Sequence, residues 1–209
     1  MVVLDAVARL LPGVINETGV THDESFTAGI LQHAVYTRPP VFRGLPVPRT
    51  LLSGNSAYDQ YVMGVNEDAL SAKAQNGLRV FVGKGQCLKC HFGFNFTDEK
   101  FHNLGVGWDN IQLDAGRYAV TKNPREIGAF KTPTLREIYR TAPYMHNGRF
   151  ATLQQVIEFY NQGGIQNPYL DPAIKPLNLN QQEKEDLVEF LYTLNGQGWQ
   201  VTPPTKFPN

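Results

Sequence analysis

Apolar positions fall into helical periods at three places along the chain. Ala74, Leu78 and Phe81 recur near helical spacing behind Ser71, whose hydroxyl can cap a helix, and Gly83 supplies the stop. Thr152 with Gln155 forms the capping-box pattern of a second helix, on which Leu153, Val156, Ile157 and Tyr160 fall at i, i+3, i+4 and i+7 before Gly163. That spacing turns Tyr160 inward. Asn180 with Glu183 opens a third helix, whose Leu187, Phe190, Leu191 and Leu194 share one face up to Gly196. From Phe92 to Phe150 the periodicity is lost among Gly, Pro and Asn and turns such as Lys131-Thr132-Pro133-Thr134, which predicts loops. No strand-like alternation survives. Residues 56–196 therefore read as an all-α domain of a few helices and long loops, with a flexible tail over 197–209.

Composition adds exclusions. With 42% apolar residues and zero formal net charge, the chain is an ordinary globular protein without the basic excess of a general nucleic-acid binder. No apolar run approaches the roughly 18 residues of a membrane span. The start MVVLDAVARLLPGV lacks the basic opening and small-residue cleavage site of an export signal, so the chain as written is expected to stay in the cytoplasm.

The two cysteines sit in Cys87-Leu88-Lys89-Cys90-His91, too close for a disulfide framework. In a Cys-x-x-Cys-His run two thiols can add across the vinyl groups of a haem while the adjoining imidazole ligates its iron. Two rival readings exist. A thioredoxin-like redox pair would open a helix within a βαβ pattern; a zinc site would recruit two of His22, His33, His102 and His146, whose spacings carry no zinc signature. One covalent haem c, held by Cys87 and Cys90 with His91 as axial ligand, would also supply the apolar core that the loops lack.

Around this motif lie GKGQCLKCHFGFNFTDEKFHNLGVG, GRYAV, GAFKTPTLREIYRTAPYMHNGRFATLQQVIEFYNQGG and LDPAIKPLNLNQQEKEDLVEFLYTLNG. In that order they resemble the C-terminal haem domain of the bacterial diheme cytochrome c peroxidase and MauG family. The resemblance implies a cytochrome c-like, periplasmic redox protein in which two haem domains face each other across a calcium ion. It implies a distal iron ligand at Tyr160, where peroxidases place Met and MauG-type members Tyr; Met145 is the alternative. It also implies backbone calcium ligands at Thr141 and Pro143 and supporting roles beside the haem for His146 and His102, each of which reads equally as a loop-fixing histidine. Lys131, Arg136 and Arg149 are candidates for haem propionates, with solvated surface charge the default for each.

The first 55 residues resemble something else. VVLDAVARLLPGV and DESFTAGILQHAVYTRPPVFRGLPVPRTLLSGN are similar to an internal piece of bacterial tRNA (guanine-N1)-methyltransferase. Arg9 matches that family's catalytic Arg, whereas the position of its catalytic Asp holds Glu24, with Asp23 one residue early. The segment is expected to be an incomplete, mostly irregular or helical fragment that neither binds a methyl donor nor modifies RNA, joined to the haem domain in a chimeric sequence. Its Leu10, Leu11, Val14 and Ile15, if exposed, would promote association.

The expected function is a c-type redox domain supporting peroxide reduction or protein-substrate oxidation. Whether it is itself an enzyme is left open, since only one haem motif is present. It would work with a redox partner protein or a second haem domain, and no nucleic acid is expected to bind. A stand-alone electron-transfer cytochrome is the nearest alternative, and RNA modification the alternative of another class.

Overall fold

The computed structural model describes residues 53–109 and 114–198. Arg9, Asp23, Glu24 and the apolar residues of the first fifteen positions lie outside the described residues, as does the tail from residue 199.

Among the described residues five α-helices carry the fold: α1 (Ala57–Val62), α2 (Ala72–Val82), α3 (Tyr118–Thr121), α4 (Leu153–Asn161) and α5 (Gln181–Tyr192). Local chemistry sets their starts. Ser56, Thr152 and Asn180 each complete a capping box, with Asp59, Gln155 and Glu183 respectively, and the Ser71 hydroxyl accepts the Ala74 N–H. The pattern behind Ser71 thus yields α2, ending at Gly83. That behind Thr152 yields α4, which closes on Gly163 at φ +82°, a conformation only glycine adopts freely.

Helices α2 and α5 form the frame, and they cross with their backbones in contact. A Cβ on Gly77 would lie 1.9 Å from the Asp186 carbonyl oxygen, so only glycine permits the approach. Around the crossing, Phe81 packs on Phe190 with ring centroids 5.0 Å apart, and Tyr58 of α1 packs edge-on to Phe190 at 5.7 Å. Leu78, Leu187, Leu191, Leu153 and Ile157 continue the same buried cluster, which joins α4 to the frame. The two ends of the described domain meet where Gly54 and Gln197 exchange backbone hydrogen bonds of 2.9 and 2.7 Å.

Three expectations need correction. A two-stranded antiparallel pair exists, β1 (Phe101–His102) with β2 (Phe130–Lys131), in the register Phe101 to Lys131 and His102 to Phe130. At two residues each, these strands are too short for alternation to reveal. Helix α5 stops at Tyr192 and not at Gly196, because the Thr193 hydroxyl turns back to donate to the Phe190 carbonyl at 2.6 Å. Leu194 nevertheless stays fully buried. Finally, Arg136 is not a solvated surface charge. It is 6% exposed, its guanidinium forks onto both Asp59 oxygens at 2.8 Å, and its Nε donates to the Phe94 carbonyl.

Candidate functional site

The backbone just past α2 builds the site. Gln86, held at φ 53°, turns the chain into a 3-10 turn over Cys87–Lys89, and the Cys90 and His91 N–H groups both donate to the Cys87 carbonyl. One turn therefore presents both thiols and the imidazole to the same side. His91 Nδ1 lies 2.8 Å from the Phe96 carbonyl. Since a carbonyl only accepts, Nδ1 carries the proton and Nε2 keeps its lone pair, the arrangement of a metal-ligating histidine. Burial lowers the His91 pKa and keeps the ring neutral.

Burial also pushes the Cys87 thiol up to about 12 and the Cys90 thiol up to about 11, the latter reinforced by Asp98 and Asp171. Both are protonated at neutral pH, the reverse of a reactive redox pair.

A cavity of about 440 Å³ opens over this turn. Its lining is mainly apolar: Phe81 from α2, Val156 and Ile157 from α4, Leu187 and Leu191 from α5, and Leu104, Leu135 and Ile174 from loops. The void brings together Cys87, Cys90, His91, His102, Thr141, Pro143, Met145, His146 and Tyr160, residues spread over more than seventy positions of sequence. Lys131 is on its wall too, paired with Glu99. Arg149 instead forks onto Asp109 at 2.7 and 2.8 Å, away from the lining.

Tyr160 reaches the cavity from α4. It is half-buried by exposure yet ringed by protein atoms, as a residue on a cavity wall is, and burial raises its phenol pKa well above the ordinary value, with Cys87 and Cys90 adding to the shift. Left to itself this phenol is neutral; a bound metal cation is what would stabilise its phenolate. Met145 shares the wall, at φ 69°. The His146 ring stacks on Phe130 with centroids 3.5 Å apart, and its Nε2 lies 3.2 Å from Asp114. Burial lowers its pKa although Asp114 opposes the shift.

His102 sits between two carboxylates, with Asp171 at 2.6 Å and Asp98 at 2.8 Å. Burial alone would lower its pKa, but the hydrogen bonds to Asp171 and Asp98 outweigh burial and raise it. Neither this bracket nor the Arg136 anchor was evident from the sequence. The one signal available was Ser56-x-x-Asp59, a capping box that places a carboxylate at the start of α1.

The donor set fits haem c: paired thiols, a neutral imidazole with a free Nε2, and an apolar void opposite a tyrosine. Calcium is less well provided for. Two carbonyls, from Thr141 and Pro143, fall far short of the roughly six to eight oxygens that calcium takes, so any further ligands would have to come from elsewhere.

Comparison with known proteins follows this division. "Cytochrome-c peroxidase IdrP2" of Denitromonas iodatirespirans is 38% identical over 183 residues, covering 75% of this chain and 48% of that protein. "Methylamine utilization protein MauG" of Methylorubrum extorquens is 38% identical over 156 residues, covering 75% of this chain and 44% of the relative. From residue 56 onward, the chain resembles the C-terminal haem domain of diheme cytochrome c peroxidases and MauG. It spans about half the length of these MauG and peroxidase relatives. A solved structure described as a MauG-like protein associated with microbial copper homeostasis superposes with a TM-score of 0.59 at 32% identity, over 71% of this chain and 54% of the other. The tRNA (Guanine-1)-methyltransferase family model matches residues 1–74. That match runs past Asn55 through α1 and into α2, whose Ala74 belongs to the core cluster of the MauG-like domain.

Proposed function

We propose that residues 56–196 form a c-type haem-binding redox domain that relays electrons in support of peroxide reduction or protein-substrate oxidation. The observation that carries this reading is the convergence of Cys87, Cys90, His91 and Tyr160 on one apolar cavity. Haem c, when bound, supplies a one-electron iron couple. Cys87 and Cys90 would fix it covalently, and the Phe96 carbonyl would hold His91 with Nε2 toward the iron. Tyr160 would close the opposite face as a hard anionic donor that favours the ferric state, while the apolar walls exclude water. With His91 and Tyr160 both given to holding the haem, peroxide turnover would fall to a second haem domain or a redox partner protein. By the same likeness the domain works in the periplasm. Among the described residues no helix is long and apolar enough to cross a membrane.

The test is a reduced pyridine haemochrome and a ferric visible spectrum on the chain matured by a cytochrome c assembly system with an added export signal. A c-type haemochrome and a ferric spectrum that changes in Tyr160→Phe are expected. Covalent haem whose spectrum ignores Tyr160→Phe would transfer the distal role to Met145, which shares the cavity wall. Absence of haem from the matured chain would refute the reading.

A second reading, methylation of tRNA, is favoured only by the family match over residues 1–74. It requires saturable binding of S-adenosylmethionine.

A further inference from the structure

Next to Cys87 and Cys90 stands the Asp98–His102–Asp171 cluster, to whose two carboxylates the haem reading assigns no task. Its members are held firmly. Asp98 is 3% exposed at its side chain and Asp171 22%, and both bracket the two ring nitrogens of His102. Backbone donors fix the carboxylates further: Asp98 Oδ1 accepts the Lys100 N–H at 2.9 Å, and Asp171 Oδ1 accepts the Ala173 N–H at 2.8 Å. Strand β1 pins His102 opposite Phe130. The Cys90 sulfur, one point of haem attachment, lies within 4.8 Å of ligand atoms of both Asp98 and His102, and His102 itself faces the cavity.

We propose that this cluster is a redox-tuning element: its net negative charge, held against the haem edge attached at Cys90, lowers the midpoint potential of the domain. The inference rests on the haem reading above. Its sign follows from counting charges. Two carboxylates flank one imidazole, so the cluster is net negative whether that ring is protonated or neutral. Oxidation removes one electron and leaves one more positive charge at the site, which the carboxylates stabilise across a poorly solvated gap. The lysines on the same stretch, Lys89 and Lys100, are exposed, so water screens their opposing effect more strongly than it screens the nearly buried Asp98. A purely structural clamp would influence stability or haem loading but would not set the direction of a potential shift.

The experiment is a spectroelectrochemical titration, with mediator dyes, of the full haem-loaded chain and of Asp98→Asn, Asp171→Asn and Glu183→Gln, each first checked by pyridine haemochrome. Both Asn variants are expected to move to a higher midpoint, with a ferrous-to-ferric ratio roughly tenfold higher at the potential where the wild type is half reduced. Glu183→Gln, on the exposed start of α5, is expected to leave the midpoint in place. Should Asp98→Asn fail to load haem, the more accessible Asp171→Asn carries the test. An unchanged or lower midpoint in loaded Asp171→Asn overturns the proposal and leaves the haem reading standing. A wild-type chain without haemochrome overturns the haem reading and this inference together.

Discussion

At the scale of single residues, the most consequential contact outside the cavity is the fork between Arg136 and Asp59. Removing one partner strands the other charge in the interior, so Arg136→Met is expected to cost about 3–5 kcal/mol in a urea titration followed by circular dichroism. Asp59 also makes the fold acid-sensitive. Burial pushes its carboxyl up, but the hydrogen bonds from Arg136 and Ser56 and the guanidinium charge outweigh burial and hold it below the usual carboxylate value. A depressed folded pKa contributes stability that is fully present above the unfolded value of about 3.9 and lost as pH falls through the folded one. The urea midpoint of the wild type should therefore drop below pH 4, and Asp59→Asn should remove part of that drop; an equal drop in both proteins would assign the acid sensitivity elsewhere. The Cys87–His91 motif could be picked out in the sequence because its three chemical groups lie within five consecutive residues. Arg136 could not, since its partner stands 77 positions away and nothing local marks the pairing.

Elements behaved differently, because a helix declares itself over a short span. The boxes at Thr152 and Asn180 and the cap at Ser71 located α4, α5 and α2, since cap and period are both local. What sequence could not show is which residue had to be small where two helices cross. Within α2 alone, Gly77→Ala is favourable by up to about 1 kcal/mol of helix propensity. At the crossing, the added carbon meets the Asp186 carbonyl, and overpacking of this kind costs about 3 kcal/mol. The second effect is larger, so Gly77→Ala is expected to lower the urea midpoint, and a rise would mean that the helices separate at no cost. The cap of α4 has a functional reading as well. Thr152→Ala should cost about 1 kcal/mol and disturb the ferric spectrum, because that helix start sets the position of Tyr160.

On the scale of the whole molecule, two likenesses overlap where only one fold is described. The methyltransferase match extends to residue 74, yet Leu70 and Ala74 are buried in the same cluster as Phe190. A calorimetric titration of the full chain with S-adenosylmethionine is expected to show no saturable binding; a saturating isotherm would restore RNA methylation as a function. The frame that encloses the cavity also imposes a timetable on manufacture. Its last wall, α5, leaves the ribosome about a hundred residues after Gly77, the glycine that receives it. Until then the cysteines exist without an enclosure. A chain stopped at Leu179 should thus react with a maleimide at the rate of unfolded thiols, while the complete chain reacts slowly, so the docking of the last helix decides when the two thiols are closed off.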